Sequence, residues 1–206
     1  MAHDSDIYST VVEFTQGAIN DIAISPSHSY ALTVAENGMI KVWDYVRKCV
    51  TYQSVFSGSG TCLEHMEYSD GNKGRICACG FDNGIVRIIS ITADGIQLLK
   101  AFKAHDDAIA CMRYTKDMKI LCPSSKSGDV FFFETDGLND VQLYKPICTF
   151  KLSDEAGIND MKWNPGDDSI IIGCTNGMVY QIRRPKPDEI DSSDSYLWEN
   201  ISIKSW

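Results

Sequence analysis

The chain has 206 residues and is 44% hydrophobic, which is enough apolar side chain for one sizeable core. Its formal net charge of −9, with only short basic pieces such as Arg183-Arg184, argues against a nucleic-acid footprint, because neutralising phosphates requires concentrated cations. No apolar run approaches the roughly 20 residues of a membrane span, and the opening MAHDSDIYS lacks the basic and apolar regions of a signal peptide.

Residues 1–8 read as a tail, and Ser9–Phe14 (STVVEF) as a strand. A cassette then follows in Leu32–Asp44: an apolar run, a turn at Asn37-Gly38, and a second apolar run closing on Trp43-Asp44. Two β-rich runs joined by a glycine turn are a hairpin signal. The cassette returns in Arg75–Ser90, Lys119–Glu134 and Ser169–Arg183. The turn glycines Gly38, Gly84, Gly128 and Gly177 stand 46, 44 and 49 residues apart, and five residues after them come Trp43, Ile89, Phe133 and Ile182.

Upstream of each cassette lies a strand-like segment ending in Ile24, Tyr68, Tyr114 or Trp163. Upstream again lies one ending in Phe14, Phe56, Phe102 or Phe150. Four strand-sized pieces at a period in the forties match one blade of a β-propeller. The fold class is therefore all-β, with repeats at 17–56, 60–102, 107–150 and 157–184 behind a leading outer strand at 9–14. On this alignment the second repeat carries two extra residues, in a loop holding Gly71 and Gly74. Glu134–Lys145 is a second surface loop. After Arg184, Pro185 and Pro187 cannot continue a ladder, so 185–206 reads as an acidic linker. Its end, SYLWENISIKSW, is a candidate last outer strand around Trp198 or the start of a further element.

The eight cysteines lie mostly inside apolar runs, where free Cys behaves as a small hydrophobe; a reducing cytosolic compartment fits them. Cys77-x-Cys79 places two thiols on one face of a strand, but no second Cys/His pair follows to complete a metal site. Asp21 and Asp160 occupy matching positions in two Ile-Asn-Asp segments, which a repeat-imposed structural role explains. No nucleophile motif or phosphate-cradling glycine loop is present. No catalytic residue, metal or cofactor is expected.

The Val42–Asp44 VWD, the Ala104-His105 pair before a strand, and the ISP and WNP strand ends resemble the WD-repeat family over roughly residues 7–184. Within it, the NGMVYQIRRP ending, the acidic linker and the Trp198–Trp206 exit are similar to cilia- and flagella-associated propeller proteins, which sit in the axoneme and include tethers of inner-arm dyneins. The resemblance implies that Gly38, Trp43, Asp44, Gly84, His105, Gly128, Phe133, Trp163 and Gly177 are structural repeat positions. The family's His–Ser/Thr–Asp–Trp network reads as broken throughout: Phe133 stands where Trp would pair with His105, and Ala35 and Asn37 flank the turn before Trp43. His105 is then a structural histidine or an exposed loop residue.

The resemblance further implies a scaffold that binds other proteins within a multiprotein complex, with no nucleic acid and no membrane. Propellers of this family commonly have about seven blades, since closure removes raw sheet edges. Missing blades are then expected from a longer polypeptide or a partner chain; the alternative is a smaller ring in which Ser9–Phe14 completes the Gly177 blade. The family's usual docking face maps onto the loops before each first strand and the turns before each third. It offers Phe81, Asp82, Lys103, Asp106, Lys126, Asp154 and Glu155 as partner-surface candidates. Phe81 is either an aromatic anchor for a partner or packing against a neighbouring blade. A peptide- or modification-reading propeller is the competing function, and a propeller hydrolase a more remote one.

Overall fold

The structure, a computed structural model, describes residues 15–66, 75–135, 144–152, 156–184 and 204–205. These form four separate four-stranded antiparallel sheets, each a simple meander. Blade 1 comprises β1 (Ile19–Ile24), β2 (Tyr30–Ala35), β3 (Met39–Asp44) and β4 (Cys49–Val55). Blade 2 comprises β5 (Gly60–His65), β6 (Ile76–Phe81), β7 (Ile85–Thr92) and β8 (Gly95–Lys103). Blade 3 comprises β9 (Ile109–Tyr114), β10 (Ile120–Ser125), β11 (Asp129–Glu134) and β12 (Lys145–Lys151). Blade 4 comprises β13 (Ile158–Trp163), β14 (Ser169–Cys174), β15 (Val179–Arg183) and β16 (Lys204–Ser205).

The four sheets are the blades of a β-propeller. Their inner strands β1, β5, β9 and β13 pack side by side in that order. Among the described residues no seam of comparable extent joins β13 back to β1. The outer place beside β15 is taken by β16, which pairs through Tyr180↔Ser205 and Gln181↔Lys204. Ser9–Phe14, Tyr68, Gly71, Gly74 and Trp198 lie outside the described residues.

Strand register corrects the alignment of the second repeat. The inner-strand ends Ile24, Tyr114 and Trp163 pair with Ala31, Leu121 and Ile170, and the matching residue in blade 2 is His65, paired with Cys77. A strand ending in histidine gives no apolar signal, and the next aromatic residue in the sequence is Tyr68. The β5–β6 connection is accordingly ten residues (66–75), against five in the other blades (25–29, 115–119 and 164–168).

Because side chains alternate across a strand, each blade has a leading face toward the preceding blade and a trailing face toward the next. The trailing face of blade 1 (Leu32, Val34, Ile40, Val42) meets the leading face of blade 2 (Leu63, Cys77, Cys79, Phe81, Ile89). Ala78, Val86 and Ile88 of blade 2 meet Ile109, Met112, Leu121 and Phe133 of blade 3. Cys122, Val130, Phe132 and Phe150 of blade 3 meet Met161, Ile170, Ile172 and Ile182 of blade 4. The middle strands β2, β6 and β10 are thus buried at every position. Each large aliphatic so buried contributes about 1.5–3 kcal/mol, so the seams hold the blades together.

Candidate functional site

The turns before each third strand and the loops before each first strand form one surface, as the repeat requires. In every blade a turn amide donates to the loop carbonyl: Glu36 N to Ala18 O, Asp82 N to Ser59 O, Lys126 N to Ala108 O, and Thr175 N to Gly157 O, at 2.8 to 3.0 Å. Gln16, Glu36, Asn37, Asp82, Asp106, Lys126 and Asn176 are exposed there. Asp82 Oδ1 accepts from Ser59 N at 2.9 Å, and Lys103 Nζ donates to Asn83 O at 2.8 Å, so both charges also brace their loop. The surface mixes both signs of charge on a backbone fixed by these bonds. Asp154 and Glu155 lie outside the described residues.

Phe81 does not belong to this surface. It is the last residue of β6, not a turn residue, and is 0% exposed in the seam between blades 1 and 2. Its ring meets Phe56 edge-on at 6.3 Å and carries the Arg87 guanidinium at 4.1 Å. Arg87 is buried too, donating through Nη2 to Ser57 Oγ at 2.9 Å. Burial lowers the Arg87 pKa. The partner-surface role of Phe81 is replaced by a structural one, a cation–aromatic sandwich.

The structural repeat positions divide by role. Gly38, Gly84, Gly128 and Gly177 all have positive φ. Trp43 Nε1 donates to Thr33 Oγ1 at 3.0 Å, so one rung of the His–Ser/Thr–Asp–Trp network survives, contrary to the sequence reading. Thr33 escaped notice because it lies ten residues upstream, across a hairpin. Asp44 caps the following turn, accepting from Val46 N and Arg47 N. His105 is buried, with Nε2 bonded to Pro123 O at 3.0 Å and its ring edge-on to Phe131 at 4.7 Å. Burial pulls its pKa down, and it is a structural histidine. Phe133 packs at a tilt against Phe102, ring centroids 4.9 Å apart, and Trp163 packs edge-on against Phe132 at 6.3 Å.

The inner strands present a polar cleft lined by Asp21, Glu64, His65, Arg113 and Lys162. Here side chains bridge successive blades. Asp21 Oδ2 accepts from Leu63 N at 2.8 Å, and Glu64 Oε1 from Tyr114 N at 3.2 Å. Arg113 bonds both Glu64 and Asp160. Inner edges have unpaired amides, and these carboxylates satisfy some of them. Asp21 and Asp160 therefore act in the seams. No spatial signal in the sequence announced Glu64 or Arg113, since their partners lie roughly a blade away.

At the opposite rim, Arg184 clamps blade 3 to blade 4 by reaching Asp117 Oδ2 at 2.7 Å and Asp167 Oδ2 at 3.3 Å. Although burial opposes it, hydrogen bonds from Thr115 and Arg184 hold the Asp117 carboxyl below its usual range. Cys77 and Cys79 are both fully buried in apolar packing, and burial pushes the Cys77 thiol well up. Among the described residues no three His, Cys, Asp or Glu side chains gather to hold a metal ion.

Comparison with known proteins adds two findings. The family described as WD domain, G-beta repeat matches residues 3–44. Three relatives carry the name "Cilia- and flagella-associated protein 44". The one from Mus musculus is 25% identical over 199 residues, covering 88% of this chain and 10% of its own length. That from Trypanosoma brucei brucei is 28% identical over 188 residues, covering 90% of this chain and 10% of its own. That from Chlamydomonas reinhardtii is 23% identical over 207 residues, covering 93% and 12%. The chain thus spans about a tenth of the length of these relatives.

Proposed function

We propose that this chain, a WD-repeat β-propeller protein, is a non-catalytic interaction scaffold of the ciliary or flagellar axoneme. The observation that carries this reading is the similarity along about nine-tenths of the chain to relatives from a mammal, a trypanosome and an alga that share one ciliary name. The geometry is consistent with it. The loop-and-turn surface is braced by backbone bonds in all four blades and presents mixed charge, as a docking platform needs. The polar groups of the inner cleft bond to neighbouring blades, so Asp21, Glu64 and Arg113 are committed to holding seams. In this reading the chain works within a longer propeller assembly, with further blades supplied by the same polypeptide or by a partner.

The test is fractionation in a flagellated cell that expresses the tagged full chain. Retention in detergent-extracted, salt-washed axonemes is expected, together with recovery of a stable complex of fixed stoichiometry after mild solubilisation. Complete release with the detergent-soluble proteins would overturn the axonemal assignment. Capture of short peptides alone, with fast exchange, would favour a reader in place of a scaffold.

A further inference from the structure

The inner cleft has a volume of about 290 Å³. It runs along the last residues of the inner strands, away from the loop-and-turn surface that borders their first residues. One register position in its wall is held by Ala23, Glu64, Arg113 and Lys162 in successive blades. Glu64 reaches the next blade, accepting from Tyr114 N at 3.2 Å and from Arg113. Arg113 reaches onward in turn and bonds Asp160. Asp21, the other acid of the lining, is satisfied by main-chain amides, Ile22 N on Oδ1 and Leu63 N on Oδ2, both at 2.8 Å. Lys162 lines the same cleft and has no hydrogen-bond or ion-pair partner among the described residues. The carboxylates are committed, and one ammonium lacks an acceptor.

The lining is completed by aliphatic side chains that stay wet. Ile22 has the register position of Leu63, Met112 and Met161, which are 3%, 0% and 1% exposed, yet it is 60% exposed. Ile24, two residues on, is 66% exposed. Branched apolar surface and an unpaired cation in one concave site fit a ligand that is apolar along its stem and negative at its end. Only one positive charge is uncommitted, and the Asp21 and Glu64 carboxylates lie in the same lining. The site therefore matches one negative charge better than two, which selects a carboxylate over a phosphate.

We propose that the inner cleft is a binding site for a carboxylate on a branched aliphatic stem, its charge on Lys162 and its stem against Ile22 and Ile24. A free short-chain acid and a polypeptide end such as a terminal leucine share this chemistry. The inference goes beyond the axonemal scaffold and does not rest on it, because the cleft belongs to the chain wherever the chain is located.

His65 supplies a local reporter, since its ring lines the cleft, whereas His105 is buried elsewhere with Nε2 bonded to Pro123 O. The test titrates N-acetyl-leucine into the full chain while the histidine ring protons are followed by NMR. A saturable shift of the His65 signal is expected, with His105 unmoved. The uncharged N-acetyl-leucinamide and inorganic phosphate should each bind about tenfold more weakly or worse. Lys162→Met should weaken the acid about tenfold and bring it level with the amide, while Ile22→Ser should weaken both. Lys162 is exposed, so its variant is expected to fold, and an unchanged His105 signal verifies that. A tetrapeptide ending in the same free leucine separates the sources. Tighter binding than the single residue assigns the site to a polypeptide end, and equal or weaker binding assigns it to a free acid.

Four outcomes would overturn the proposal. In one, the His65 signal does not move with the acid. In another, acid and amide bind equally. In the third, phosphate binds as tightly as the acid. In the last, binding of the acid survives Lys162→Met undiminished. The axonemal fractionation is untouched by any of these, so the two readings fail separately.

Discussion

The seam between blades 1 and 2 and the trailing face of blade 4 are built on the same repeat, and they have diverged in opposite directions. The seam is filled with Leu32, Val42, Cys77, Phe81 and Ile89, and admits one cation, Arg87, only by stacking it on Phe81 and Phe56. The blade 4 face has Ser169 and Gln181 at the positions of Tyr30 and Val42, and Val179, the counterpart of buried Ile40, is 37% exposed. The turn glycines repeat the contrast. A Cβ on Gly84 would lie 2.0 Å from His105 O, where the chain entering blade 3 bonds back to the turn, whereas one on Gly177 would meet nothing within 4 Å. Repeat position alone therefore does not set a residue's burial; what lies on the other side of the blade does.

Substitutions at paired positions sharpen this contrast. The largest effect is expected from Phe81→Ala, which should cost about 3–5 kcal/mol in a chemical-denaturation midpoint, against less than about 1 kcal/mol for Val179→Ala. Equal costs would mean that the blade 4 face is packed in solution. Gly84→Ala comes next. It combines a left-handed φ with a backbone clash and should cost about 3 kcal/mol, while Gly177→Ala meets only the conformational penalty of about 1 kcal/mol.

The third test is a pH titration of the same seam. His65 is buried beside Tyr30, ring centroids 5.8 Å apart, and burial pulls its pKa down to about 4. The unfolded chain, with an ordinary histidine, takes up the proton first as pH falls. Stability is thus complete above about pH 6.5 and is lost as pH falls toward 4, by up to about 3 kcal/mol. Melting temperature against pH should flatten over that window in His65→Gln, and an unchanged slope would refute the assignment. Smallest is Ile22→Lys, which should shift stability by no more than about 0.5 kcal/mol although its counterpart Leu63 is a core residue.

What was legible in the sequence is what repeats locally. The glycine turns, the apolar strand pairs and the phenylalanines at the ends of outer strands fall within a single repeat, with 18 to 22 residues from turn glycine to phenylalanine, and they outlined the blades. The inner strand of blade 2 was misaligned because His65 carries no apolar signal and a longer loop supplied Tyr68 as a decoy. Phe81 looked like a turn residue because a strand's last position and a turn's first are adjacent in text and opposite in burial. The bridges from Asp21 to Leu63 and from Glu64 to Tyr114 were invisible, since each joins residues 42 and 50 apart with no periodic mark. Ser169 and Gln181 look ordinary until the faces are aligned.

The carboxylate bridges also bear on how the chain acquires its structure. Every strand pairs only with its sequence neighbour, and the bridges to the next blade close loops of 42 to 67 residues. Each addition thus repeats nearly the same entropic step, and a nascent chain can lay down one blade on the last as it leaves the ribosome. Joining β13 to β1 would instead close about 140 residues at once, an extra cost of about 1 kcal/mol over a single step. Growth by accretion is cheap at every stage, and only the final joining of ends must wait for the whole.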